Sequence, residues 1–520
     1  MILRRNKVLV ALLGVVALTA TACSGGGTNK PSGSSEINPD AVLRVAWALP
    51  MPTLDPMMLA SVASQGNLSP IYDRLTQVDG KDKLLPMLAT SWQFSSDGAY
   101  LELKLRTDVK FHDGTVFDAA AVKANLDRGK THPKSTVKQA LKSITSVEVV
   151  DPTTARLHLV KGQGAELPSL FSSNAGMMIS PKALADPSRD LANNPGDAGS
   201  GPYVVTAFVP QEKITMKRAP SYWDPEVGKL AGLEISRVAN NTTRLNGVAA
   251  GELDITGVSA PNDLTRADDL AKRGTFNIDK VQFRNVMSLF LDAKKGNLTD
   301  LKVRQAIAHA IDPEKIAALF SGTCTPYRQF YPEDSWPALK GYQYPYAPDI
   351  AKAKQLVTEA GGVKFDLTFA AQTNTEQPAN VIQAALKEAG ADVKLVPVPN
   401  SEHDARYQAG DFDSMVSNGF NPKGDPAETL ATYFLGSYRI VADTAAVQPL
   451  AEQAANPTLP EAERAKLYQQ IWEKVLQEAW FIPLCRQTHA IIANPKVINA
   501  KNLPWANLGY MDLRAVAMVK

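Results

Sequence analysis

Residues 363–398, VKFDLTFAAQTNTEQPANVIQAALKEAGADVKLVPV, carry the reading of the fold. Val363, Phe365, Leu367 and Phe369 alternate as the buried face of a strand. Pro378 to Ala389 then places Val381, Ile382, Ala385 and Leu386 on one face of a helix, with Gly390 as its stop. Val393 to Val396 supplies a second strand. Strand, helix and strand at this spacing predict a parallel pair joined by a right-handed crossover. Outward from this unit, Leu301 to Ile311 reads as a helix with Val303, Ala306, Ile307, Ala310 and Ile311 on one face. Asp312 and Pro313 follow as N-cap and first-turn proline of the next helix. Ile350 to Ala360, ended by Gly361 and Gly362, repeats the pattern. Thr90 to Val160 differs: short alternating stretches such as Tyr100 to Leu105 and Thr154 to Val160, with turn signals at Asp97–Gly98 and Asp113–Gly114, predict a strand-rich region. The chain thus reads as α/β with one part interrupted by an insertion, and it shows no internal period.

Composition narrows the function. The 520 residues include 55 basic and 53 acidic side chains, so no bulk field attracts nucleic acid or an acidic membrane. The six histidines, at 112, 132, 158, 309, 403 and 489, form no i,i+4 pair and no Cys/His spacing suited to a metal, and His309 reads as structural. HExxH, CxxC and GxSxG are absent. Gly129, Lys130 and Thr131 end like a phosphate loop, but Ala124 stands where the upstream glycine is needed. The sequence therefore argues against an enzyme and calls for no cofactor.

Arg4, Arg5 and Lys7 precede the apolar run Val8 to Leu18, which is too short to span a bilayer and reads as a signal peptide over residues 1–22. Ala20, Thr21 and Ala22 lead to Cys23, an arrangement that resembles a bacterial lipoprotein processing site. Its usual leucine is displaced here to Leu18. Cys23 would receive the lipid, and residues 23–40, rich in Gly, Ser, Pro and Asn, would form a flexible tether reaching about 20 to 25 Å. The expected location is the outer face of the cytoplasmic membrane. In that compartment Cys324 and Cys485 are an even pair, read either as a disulfide or as two separately buried thiols.

Several segments, taken in order, resemble the family 5 extracellular solute-binding proteins of ABC importers, the group of oligopeptide, dipeptide and nickel receptors. They are Thr53 to Pro56, Leu85 to Trp92, Leu105 to Thr115, Gly199 to Tyr203, Ser221 to Trp223, Gly251 to Asp254, Val303 to Asp312 and Ala347 to Gly361. Most of these residues have plain structural readings: Asp55 as a turn former, and Trp92, Tyr203, Tyr222 and Trp223 as packing aromatics. The resemblance implies a type II periplasmic-binding-protein fold with two lobes and a hinge. Lobe I would be 41–75, 197–284 and 486–520, its strand-rich subdomain 76–196, and lobe II 285–485. It also implies a monomeric receptor that performs no chemistry, encloses an oligopeptide or peptide-like solute, and delivers it to permease and ATPase subunits. A receptor for a non-peptide solute and a sensory lipoprotein are the alternatives.

In peptide-binding members the ligand backbone pairs with extended segments of both lobes. Counting along the motifs places these at Val62, Ala63 and Ser64 and at Asn418, Gly419 and Phe420, with Asn421 and Lys423 beside the second. The aspartate that such receptors place four residues before Pro426 to meet a peptide ammonium is replaced by Pro422. Glu402, Asp404 or Asp413 could substitute for it, or the ligand could lack a cationic amine. Lys423 and Arg406 are candidates for a ligand anion.

Overall fold

The two longest strands among the described residues, Asn277–Leu291 and Phe481–Ala493, run antiparallel and organise everything else. The computed structural model describes residues 36–520 apart from 50, 60, 61, 80–82, 437, 439, 441 and 501–511. The signal peptide, Cys23 and most of the tether lie outside the described residues. Pairing of the two long strands is interrupted between Gln282 and Val286, where the register shifts, and shifts again between Met287 and Ser288. On one side of the break Ile255–Val258 joins Phe481–Ala493, followed outward by Val42–Trp47, Gly232–Arg237, Lys213–Arg218 and Tyr203–Val209. On the other side Ser414–Phe420 joins Asn277–Leu291, followed by Lys364–Ala370 and Asp392–Val398. One sheet is thus continuous through two strands that each serve both of its ends.

The predicted crossover unit is present. Lys364–Ala370 and Asp392–Val398 pair in parallel, Phe365 against Val393 and Leu367 against Leu395, and the helix Thr373–Glu388 lies between them in sequence. This helix begins five residues before Pro378. Pro378 stands in the second turn, where it gives up the N–H that would reach the Asn374 carbonyl, and the polar TNTEQ stretch winds ahead of it nonetheless. Asp312 accepts from Glu314 N–H at 2.9 Å and caps the helix Pro313–Ala318, while Asp300 caps Leu301–Ala310.

The strand-rich region folds as a four-stranded antiparallel sheet, Ala89–Phe94, Tyr100–Leu105, Thr154–Leu159 and Ile144–Asp151 in that order. A helix that the sequence reading missed, Ala119–Thr131, packs on it through Val122 and Leu126, capped by Asp118. Gly129 of the rejected phosphate-loop pattern sits in its last turn, where an added Cβ would come within 2.8 Å of Leu141 Cδ1. Buried apolar side chains gather in separate clusters. Leu43, Ile71, Tyr203 and Ile235 share one, Leu103, Val122 and Leu157 a second, Leu289, Ile307 and Leu367 a third, and Phe290, Phe330, Phe420 and Trp472 a fourth. Cys324 and Cys485 are bridged, with Cα atoms 5.7 Å apart. No helix among the described residues is long and apolar enough to cross a membrane.

Candidate functional site

The break in the long-strand pairing opens onto a cavity of about 790 Å³. One wall comes from the strand-rich region: Val78, Leu84, Trp92, Phe94 and Pro168. The facing wall comes from the other end of the sheet and includes Pro332, Trp336, Pro337 and Gly424. Gln282, Arg284 and Arg486 line it from the strands that cross between the two ends. Antiparallel register sets Arg486 opposite Val286, two residues from Arg284, so the bend gathers both guanidinium groups at one place.

The charged lining sets four cations, Lys83, Arg284, Arg464 and Arg486, against three acids, Asp334, Asp425 and Glu461. Arg284 is only 5% exposed, reaches Ser335 Oγ at 3.4 Å, and is pushed down to about 10 by burial. Arg486 donates from Nε to the Phe283 carbonyl at 3.1 Å and lies over the Tyr327 ring at 5.2 Å; burial lowers its pKa as well. No carboxylate within ion-pair distance of Arg486 is found among the described residues, and exposed Asp334 is the nearby acid that favours its charge. Arg464 is different: it is held by Asp425, and its guanidinium sits 5.4 Å over Trp336. Lys83 adds an exposed ammonium at the rim. Aromatic walls over a cationic base suit a solute with flat or apolar parts and an acidic group. Among the described residues no cluster of His, Cys, Asp or Glu could hold a metal ion.

A sequence model of the bacterial extracellular solute-binding proteins, family 5 Middle, matches residues 83–439, more than half of the chain. The chain belongs to this family. It is thereby a solute-binding receptor of the kind that serves ABC importers. Glutathione-binding protein GsiB of Escherichia coli strain K12 is 28% identical over 460 residues, 83% of this chain and 86% of that protein. NikA of Brucella suis, solved with Fe(III)-EDTA, superposes with a TM-score of 0.76 at 27% identity, covering 88% of this chain and 96% of that one. DppA of Helicobacter pylori, solved with the peptide STSA, gives a TM-score of 0.78 at 23% identity, over 92% and 98% of the two chains. The fold is accordingly the type II periplasmic-binding-protein fold.

The family motifs prove to be mostly scaffold. Asp55 accepts from Met57 N–H at 3.0 Å, as a turn former should, and also pairs with Arg128, which the sequence did not reveal. Asp254 takes Arg44 through its backbone N–H (2.8 Å), Nε (2.9 Å) and Nη2 (2.8 Å). Tyr222 and Trp223 donate to buried Asp73 at 2.7 and 3.0 Å. A Cβ on Gly199 would stand 2.2 Å from the Ile71 carbonyl oxygen, so GSGPY is a close backbone approach. His309 bonds the Ala347 carbonyl through Nδ1 at 2.8 Å. Trp92 packs against the subdomain core, as read, and also lines the cavity.

The ligand segments placed by counting do not line this cavity. Val62–Asn67 forms a 3-10 turn where an extended segment was expected, because this stretch carries no alternating apolar pattern and its Ser64 is buried. Asn418 and Gly419 belong to the strand Ser414–Phe420, and from Gly419 onward several backbone groups are already served by side chains. Gly419 N–H bonds Ser417 Oγ (3.0 Å), Gly419 C=O accepts from Tyr433 Oη (3.2 Å), Asn421 N–H reaches the same hydroxyl (3.2 Å), and Lys423 N–H reaches Thr429 Oγ1 (2.8 Å). Phe420, expected at the ligand, is 0% exposed and packs its ring 4.7 Å from both Tyr433 and Phe481. Glu402, Asp404 and Arg406 lie on the surface, Arg406 paired with Asp411 at 3.1 Å, and Asp413 lies off the cavity. Arg284 and Arg486 were missed. Their signal was a charge within two largely apolar strands, FRNVMSLFL and FIPLCRQ.

Proposed function

We propose that the chain is a lipid-anchored, monomeric receptor that closes two lobes over a small peptide-like solute bearing an acidic group and passes it to the permease and ATPase of an ABC importer, without altering a covalent bond. Lobe I takes 41–75, 197–284 and 486–520 with the subdomain 76–196, and lobe II takes 285–485. The register break between Gln282 and Val286 falls at that boundary, as a hinge requires. The observation that carries the ligand reading is Arg486, half-buried at the cavity without a carboxylate partner among the described residues. A half-buried guanidinium without a counter-charge is best stabilised by an incoming anion. Lipid on Cys23 would hold the receptor at the outer face of the cytoplasmic membrane.

The side-chain caps on the 419–423 backbone favour one second reading, a non-peptide acid held by side chains alone. A peptide laid along that edge would have to displace Tyr433 and Ser417. Thermal-shift titration decides between them. The panel is short peptides, the same peptides amidated at the C-terminus, glutathione and simple dicarboxylates. Acids should raise the melting temperature and the amides should not. Stabilisation by amidated and acidic peptides alike would refute the anion reading, and no stabilisation by any of them would refute both.

A further inference from the structure

At one side of the cavity the strand-rich subdomain touches the opposite wall directly. Ala165 N–H donates to the Ala455 carbonyl at 3.2 Å, and a Cβ on Gly424 would stand 3.0 Å from Ser169 Oγ. Charged groups meet in this contact. Glu166 enters from the subdomain, Lys423, Asp425 and Glu428 from the loop and turn opposite, and Arg464 with Tyr468 from the helix Glu461–Gln477. Three carboxylates face two cations. Arg464 Nη2 is taken by both oxygens of Asp425, at 3.0 and 2.8 Å. Glu428 is left with Lys423, and Glu166 has near it, among the described residues, only the Arg464 already taken by Asp425.

Glu166 is poorly served as an anion, whereas Glu428 has a hydrogen bond from Ser169 across the contact. One Glu166 oxygen receives the Ser143 hydroxyl at 3.2 Å, while Oε2 is shielded from solvent and has no hydrogen-bond partner. A protonated carboxyl tolerates such a place far better than a carboxylate. Burial raises the Glu166 pKa and neighbouring Asp425 adds to it, against Ser143 and Arg464; burial likewise holds Glu428 well above the usual carboxylate range, with Asp425 and Glu166 adding and Lys423 and the Ser169 hydrogen bond opposing.

We propose that this contact is a proton-dependent latch: closing the subdomain onto the opposite wall takes up a proton on the Glu166–Glu428 pair, and opening releases it. The proton comes from bulk water and returns there, and only a carboxyl O–H bond forms and breaks. The inference rests on the two-lobe receptor proposed above and adds a regulator to its cleft. In the open form both carboxyls meet water and ionise in the ordinary range. Between that range and the raised one the closed form holds more protons, so closure strengthens as pH falls and weakens as pH rises, by up to about tenfold per pH unit for one proton.

The test is small-angle X-ray scattering of the full chain without ligand at about pH 6 and about pH 9, for wild type and for Glu166→Gln with Glu428→Gln. Wild type should be more compact in acid, and the double variant should scatter alike at both values, because a neutral amide copies the protonated carboxyl. Glu428→Gln alone, expected to lose most of the dependence, serves if the double variant folds poorly. Identical wild-type curves, or a pH response that survives both substitutions, would overturn the latch. Failure of the receptor reading has a different mark, since it appears as absence of solute binding at either pH.

Discussion

Arg464 grips Asp425 through one nitrogen, Nη2, which lies 3.0 and 2.8 Å from the two carboxylate oxygens, and neither residue is more than 8% exposed. Asp425 also accepts from Ala427 N–H and so caps the short helix Pro426–Thr429. The pair therefore fixes the wall from which Gly424 and Trp336 face the cavity. Arg464→Leu should cost about 3–5 kcal/mol in urea denaturation, since it strands a buried carboxylate. Arg464→Leu with Asp425→Leu should cost clearly less than the two single changes summed. Strict additivity would mean that the two residues act independently.

Arg486 should separate binding from stability. Arg486→Gln keeps a donor for the Phe283 carbonyl and removes the charge at the cavity. It should weaken an acidic solute found in the thermal-shift panel by tenfold or more, roughly the 1.5–3 kcal/mol of a charged hydrogen bond, with little change in the unliganded melting temperature. Calorimetric titration reads this directly, and unaltered affinity would remove Arg486 from the site.

His489 stacks on Phe283 with ring centroids 3.7 Å apart, just beyond the register break, and burial pushes its imidazole down to about 3. The sign is fixed by linkage. Below about 6.5 the unfolded chain takes a proton that the folded chain refuses, so stability falls as pH drops from there toward about 3. His489→Phe preserves the stack and cannot titrate. Its denaturation midpoint should decline less than that of wild type between neutral pH and about pH 4. Equal declines would show that other groups govern acid lability.

How far the sequence led differs by level. The crossover unit and the capped helices at Asp300 and Asp312 were legible because apolar period and cap chemistry are local. Helix Ala119–Thr131 was not, since Ala119, Ala120 and Ala121 carry no strong amphipathic signal and its stop resembled a loop. The site was the least legible. Arg284 and Arg486 are distant in sequence and become neighbours only through the register of two strands, while motif residues such as Asp55, Asp254 and Gly199 serve the scaffold. Order in a motif located the fold, and the cavity had to come from pairing.

The bridge between Cys324 and Cys485 joins residues 161 positions apart. It clips the short strand Cys324–Pro326 to Phe481–Ala493, where Thr325 pairs with Arg486 itself. Opening so long a loop restores much entropy to the unfolded chain, up to about 5 kcal/mol in the loop-closure account. Cys324→Ser with Cys485→Ser should therefore lower stability in urea by a few kcal/mol. Both sulfurs lie in the apolar cluster with Leu289 and Ile482, so part of the cost is packing that serine cannot replace. Cys324→Ala with Cys485→Val retains more of that packing, and the loss it still shows measures the cross-link. Because the bridge stands beside Arg486, both variants should also bind an acidic solute less tightly. Undiminished affinity would mean that the crossing strands hold Arg486 in place without it.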